Sequence, residues 1–242
     1  MRHLPNVITL LNLLCGVWAI HALYTGQTQD AIILIATAAV FDFFDGFAAR
    51  MLNAASPIGK DLDSLADMVS FGVFPGLLLV AQIRTQSMGM GSGLWTEHIH
   101  FLGYLIPAAS ALRLAKFNND ARQSQEFIGL PTPANTLLIC ALVWIDKLPL
   151  QWCFVFDSTF RFSIPLALWI FLALYLPWML NSEIRLLALK FKNYSWKDNR
   201  FRWLFLLTAA PMLVLGWHAF PLIILNYIIW SFIYNGLSSA SS

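Results

Sequence analysis

The chain has 242 residues, of which 58% are apolar, 14% aromatic and only 12% charged, and its mean hydropathy is +0.65. That balance excludes an ordinary soluble globular domain and points to an integral membrane protein. The formal net charge of +2 carries no argument for nucleic-acid binding, because the basic residues gather on one predicted membrane face.

A helix needs about 20 predominantly apolar residues to cross a bilayer. Taken in chain order, such stretches fall at 7–24, 30–50, 64–83, 99–117, 132–148, 162–182, 202–218 and 219–236. The expected fold is therefore an all-α, polytopic transmembrane bundle of about eight helices, built as one membrane-embedded domain over 1–242. A tight turn around His218 to Pro221 joins the last two stretches, which leaves a count of seven or a re-entrant ending open. With the N-terminus cytoplasmic, twelve of the 15 basic residues lie inside and only Arg84, Lys147 and Arg161 outside, as the positive-inside rule requires.

Asn6, Thr9 and Asn12 repeat at i, i+3 and i+6 at the cytoplasmic entrance of the first stretch, which suits them either to bond a ligand there or to serve the fold, through capping by Asn6 and interhelical hydrogen bonds. The second stretch carries Asp42 and Asp45 inside an apolar run, where an uncompensated carboxylate costs several kcal/mol. Successive residues of a helix rotate by about 100°. Asp42, Asp45, Gly46, Ala49 and Arg50 therefore share one face, while Phe43 and Phe44 point the other way. Across the connection "MLNAASPIG", Gly59, Asp63 and Asp67 recur at i, i+4 and i+8, so two helices aim two carboxylates each at a common space. Asp61 lies off that face and reads as a helix-start residue.

Four carboxylates held together repel one another unless cations neutralise them. An oxygen-only donor set suits hard divalent ions, Mg²⁺ or Mn²⁺, and no His or Cys lies among the four to suggest zinc. Two metals clamped by shared carboxylates serve in-line displacement at phosphorus. Gly46 lets a phosphate approach the backbone, and Arg50 offers a fork to it. A divalent-cation or proton transporter, and a prenyl-transferring enzyme, use similar acids, but neither accounts for Gly, Ala and Arg on the same face. Cys15, Cys140 and Cys153 lack metal-site spacing and read as buried free thiols.

Written out, residues 42 to 67 read D-x-x-D-G-x-x-A-R, eight residues, then G-x-x-x-D-x-x-x-D. This resembles the signature of the CDP-alcohol phosphatidyltransferase family, with Asp42, Asp45, Gly46, Ala49, Arg50, Gly59, Asp63 and Asp67 at its eight defining positions. "PNVITLLNLLCG", "DLDSLADMVSFGVFP", "ALRLAKFNND", "FIGLPTPANT" and "NSEIRLLALKF" are similar to the serine-using branch of that family, and the resemblance covers about residues 5–191. It implies a six-helix core, here followed by helices over about 202–236, and usually a homodimer. The active site would face the cytoplasm of a prokaryote's inner or plasma membrane.

The resemblance further implies transfer of a phosphatidyl group from CDP-diacylglycerol to the hydroxyl of L-serine, with CMP released and two divalent ions as cofactors. Asp42, Asp45, Asp63 and Asp67 would be the metal ligands and Asp67 also the base that takes the serine proton. Gly46, Ala49, Arg50, Ser56 and Gly59, with Asn6 and Thr9, would hold the CDP-lipid. Arg113, Lys116 and Arg185 are cytoplasmic-end cations suited to the serine carboxylate, or else to anchoring among headgroups. Glycerol 3-phosphate or inositol phosphate is the alternative acceptor; such a dianion should demand a denser basic pocket than the loop 51–60 offers.

Overall fold

The computed structural model describes residues 3–54, 56–91, 93–120, 127–147, 163–186, 195–212 and 219–239. Arg122, Cys153, Arg161, Lys190, Lys192 and the turn at His218 lie outside them. The described chain is helical apart from one two-residue ladder, in agreement with the all-α expectation.

The first helix, α1 (Leu4–Tyr24), places Pro5 in its first turn, where a missing N–H costs nothing. It ends on Gly26 at φ +81°, with the Gln27 amide returning to the Ala22 carbonyl at 2.8 Å. That turn folds α2 (Thr28–Met51) back along α1, and Ala19, Ala22, Ala31, Ile35 and Ala38 bury the seam. Small residues let two helix backbones approach closely where lipid supplies no hydrophobic drive. Outward-facing Leu14, Trp18, Val40, Phe43 and Phe44 are 49–64% exposed, as a lipid-facing surface requires.

After Asn53, which takes a left-handed φ of 48°, Ser56 caps α3 (Pro57–Asp67) by accepting the Gly59 amide at 3.0 Å. The helix thus begins seven residues ahead of the predicted 64, and Asp61 lies in its second turn rather than at its start. From α3 the chain continues without a break through a π-helical segment, Met68–Val73, into α4 (Phe74–Ser87). Pro75 accounts for part of this irregularity, since it has no N–H for the Phe71 carbonyl four residues back. The Thr136 hydroxyl, within reach of its own helix's Thr132 carbonyl at 2.9 Å, lies 3.0 Å from that Phe71 oxygen and supplies a donor.

Beyond α4 come a short helix α5 (Leu94–His98), a 3₁₀ segment (Ile99–Tyr104) and α6 (Leu105–Asn119). Gly76 and Gly103 form the crossing: a Cβ on Gly103 would lie 2.8 Å from the Val80 backbone nitrogen. The far end of α6 is bolted to α3, where Lys60 Nζ donates to the Asn118 carbonyl at 2.8 Å and Asn118 Nδ2 to Ser64 Oγ at 2.7 Å. The strands β1 (Phe127–Ile128) and β2 (Arg185–Leu186) pair antiparallel, clasping the segments that follow α6 and α8 (Leu166–Asn181). Between them α7 (Thr132–Lys147) packs on the π-helical segment and α4. Its Asp146 accepts the Gln82 amide and the Ile164 backbone N–H. Last come α9 (Trp196–Ala209), which starts six residues before the predicted 202, and α10 (Ala219–Ser239).

Among the described residues, three helical runs are long and apolar enough to span a membrane by length and composition: Leu4–Tyr24, Thr28–Met51 and Pro57–Ser87. With α3, the π-helical segment and α4 taken as one run, and α5, the 3₁₀ segment and α6 as another, eight continuous helical runs among the described residues overlap the eight predicted stretches. Cys15 and Cys140 are buried free thiols.

Candidate active site

The cluster forms where the C-terminal half of α2 meets α3, both leaning on α1. Asp42 and Asp45 from α2 face Asp63 and Asp67 from α3, and carboxylate oxygens of Asp42, Asp63 and Asp67 all lie within 4.8 Å of one another. The Asp42 and Asp67 carboxyls stand close enough to share a hydrogen bond. Asp45 is 5% exposed and sits beside Thr9, whose hydroxyl donates to the Pro5 carbonyl at 3.0 Å. Two buried oxygens, Asp45 Oδ2 and Asp67 Oδ1, have no hydrogen-bond partner. Buried polar atoms are normally satisfied, so orphaned oxygens amid crowded like charges point to a cation.

Next to the acids lies a cavity of about 220 Å³ lined by Pro5, Asn6, Thr9, Asp45, Gly46, Ala49, Ala54, Ser56, Gly59, Lys60 and Asp63. Gly46 opens it: a Cβ there would meet nothing nearer than Arg50 Nη1, at 3.7 Å. Gly59 does different work, since its Cβ would come within 3.1 Å of both Asn6 Oδ1 and Ser56 Oγ. Arg50 is exposed, with its Nη1 on the side of α2 that Gly46 leaves bare. Asn6 does not cap α1, which begins two residues before it after His3; its amide turns into the cavity instead. Ser56 is both a cap and a wall.

Of the three candidate cations, Arg113 is 6% exposed and is an electrostatic neighbour of Asp67. Lys116, one turn on, is exposed, and Arg185 lies in β2. The structure also brings forward Ser110, Asn135 and Tyr227, which the sequence reading did not single out. Around the π-helical segment, which follows Asp67 directly, α1, α6 and α7 contribute Asn12, Ser110, Arg113 and Asn135, each with buried side-chain atoms lacking a partner. Tyr227 of α10, 9% exposed, is an electrostatic neighbour of Arg113. A polar residue on the buried side of an apolar helix was the available signal for Ser110 and Asn135; nothing local marked Tyr227.

The donor set fits a hard divalent cation: several carboxylate oxygens, no nitrogen or sulfur, and two unpartnered buried oxygens. Asp42, Asp63 and Asp67 would hold such an ion, with Asp45 available to a second.

Comparison with known proteins bears on the same residues. The family model described as CDP-alcohol phosphatidyltransferase matches residues 2–173, which include the whole acidic cluster. Among relatives, the CDP-diacylglycerol--serine O-phosphatidyltransferase of Bacillus subtilis (strain 168) is 39% identical over 137 residues, 55% of this chain and 71% of that one. The protein of the same name from Mycobacterium leprae (strain TN) is 36% identical over 151 residues, covering 59% of this chain and 47% of the relative. An archaetidylserine synthase of Methanothermobacter thermautotrophicus is 32% identical over 139 residues, 56% of this chain and 55% of the other. The chain thus spans about half the length of the mycobacterial and archaeal relatives. With more than half of its length matched by the family model and its acids gathered as that family's signature implies, the chain belongs to the CDP-alcohol phosphatidyltransferase family.

Proposed function

We propose that this protein transfers the phosphatidyl group of CDP-diacylglycerol to the hydroxyl of L-serine, giving phosphatidylserine and CMP. The observation that carries the reading is the meeting of Asp42, Asp63 and Asp67 beside a glycine-opened cavity, with the Arg113 guanidinium buried next to Asp67. The names of the Bacillus and mycobacterial relatives favour serine. So does the cation count, because one buried guanidinium suits a carboxylate, whereas a phosphate dianion acceptor calls for more.

Asp42, Asp45, Asp63 and Asp67 hold two divalent ions, Mg²⁺ or Mn²⁺. When bound, these ions offset the diphosphate charge and make its phosphorus more electrophilic. Gly46 and Ala49 present a bare helix face to the diphosphate, Arg50 closes on it from the same side of α2, and Asn6, Thr9, Ser56 and Gly59 enclose the cytidine side. A cavity of about 220 Å³ is too small for diacylglycerol chains, which stay in the bilayer along the exposed Phe43 and Phe47. Arg113 receives the serine carboxylate, with Lys116 and Arg185 as outlying cations. Asp67 takes the proton from the serine hydroxyl as its oxygen bonds to the phosphatidyl phosphorus. The bond from that phosphorus to the CMP oxygen breaks in line, and CMP leaves with the electron pair. The site opens to the cytoplasm, the chain acts as one domain, and two copies pair as a homodimer.

Purified protein in detergent, given CDP-diacylglycerol, Mg²⁺ or Mn²⁺ and labelled serine, should release CMP and form a serine lipid. No CMP release with any acceptor would refute the reading. Release with glycerol 3-phosphate or inositol phosphate but not serine would overturn the acceptor alone.

A further inference from the structure

A second cavity, about 690 Å³, lies at the other end of the long helical run and belongs to nothing in the reaction above. Arg84 follows Asp67 by 17 residues of near-continuous helix, roughly 25 Å at 1.5 Å per residue, so the two sites sit near opposite faces of the bilayer. Arg84, His98 and His100 line this cavity with Ser87, Glu97 and Phe101. Phe101 gathers both imidazoles, with ring centroids 5.8 Å from His98 and 4.3 Å from His100. His100 Nδ1 is buried and has no hydrogen-bond partner.

Three groups that are or can become cationic therefore share one opening, against a single acid at Glu97. Groups of like charge placed together, with a ring nitrogen unspent, are arranged for an anion. The neighbouring apolar residues tell which anion. Met88, which lines the cavity, and Leu94 and Trp95, which directly precede the lining residues Thr96 and Glu97 in α5, are 72%, 78% and 84% exposed, and a Trp with apolar neighbours at a helix end marks the level of the lipid headgroups.

We infer that this cavity binds the phosphate of a membrane phospholipid, with Arg84, His98 and His100 around the headgroup and Met88, Leu94 and Trp95 against its acyl chains. Glu97 at the rim leaves room for an ammonium on the same headgroup. The site is separate from the acidic cluster, so its occupancy does not depend on the reaction assigned there.

The test uses the full chain in maltoside detergent, titrated separately with dioleoyl phosphatidylglycerol, dioleoylglycerol and inorganic phosphate. Thermal unfolding and native mass spectrometry are the readouts. Phosphatidylglycerol should raise the unfolding temperature by about 5 °C at saturation and remain bound through desolvation. Arg84→Gln and His100→Gln should each lose most of that rise while unfolding near the wild-type temperature without lipid. If Arg84→Gln fails to fold, His100→Gln carries the test, since its side chain can still hydrogen-bond but cannot become cationic. An equal rise with dioleoylglycerol would overturn the proposal, as would an undiminished rise in the variants. An equal rise with inorganic phosphate alone would overturn the lipid assignment.

Discussion

Gly46 separates a residue kept for its ligand from one kept for its fold. A methyl added there meets only Arg50 Nη1 at 3.7 Å, an ordinary contact, so Gly46→Ala introduces no clash. Glycine in a helix interior costs roughly 0.5–1 kcal/mol relative to alanine. The variant should then unfold about 1–4 °C higher in detergent, given the shift expected per kcal/mol for a chain of this size. Its activity should move the other way. If the diphosphate packs on the bare α2 face, the methyl displaces it by a fraction of its own radius, and a loss of about 1.4–2.8 kcal/mol lowers kcat/KM for CDP-diacylglycerol by about 10–100-fold. Gly59→Ala is the contrast: its Cβ comes to 3.1 Å from both Asn6 Oδ1 and Ser56 Oγ, so stability and activity should fall together. Thermal unfolding and CMP release against CDP-diacylglycerol, measured on both variants, check the pair. Gly46→Ala with turnover within about twofold of wild type and a raised unfolding temperature would refute the reasoning.

Asp67→Asn should abolish turnover yet retain part of the metal-dependent binding of CDP-diacylglycerol, since Asp42, Asp45 and Asp63 remain; unchanged CMP release would remove Asp67 from the base role. Arg113→Gln should raise the serine KM by about 10–100-fold, the worth of a charge-assisted carboxylate contact, while leaving the KM for CDP-diacylglycerol near wild type. An equal rise in both constants would assign Arg113 to holding the site's shape. Thr136→Val should lower the unfolding temperature by removing the side-chain donor to Phe71, at a cost of about 1–3 kcal/mol; an unchanged temperature would mean that carbonyl is satisfied elsewhere.

The acidic site was the legible part of the sequence because helical rotation ties spacing to direction. Asp42 and Asp45 had to share a face, and Phe43 and Phe44, 64% and 49% exposed, had to leave it. The start of α3 was not legible from hydropathy, since its first turns are polar and carry no apolar run; the sign was Ser56 followed by Pro57, which reads as a cap. Asn6 looked like that kind of cap for α1 but lies inside the helix. Arg113 and Lys116 are alike in sequence, and only the packing of α6 on the π-helical segment buries one and exposes the other. The clasp of Phe127 and Ile128 on Arg185 and Leu186 joins segments more than fifty residues apart, and no local pattern of two residues announces it.

The π-helical segment between Asp67 and Phe74 has a consequence for how one continuous helix serves two masters. Each turn there holds more residues than an α-turn, so the chain above it is phased differently from the chain below. Below, the phase is set by where Gly59, Asp63 and Asp67 must point; above, by where Leu78, Leu79 and Ile83 must be buried. Winding the same six residues as α-turns would swing the lower half by about 100° against the upper, the rotation of one residue. The acids would then face away from α2 with every side chain of the site still present, so the π-helical winding of that segment is as much a determinant of the cluster as the aspartates are.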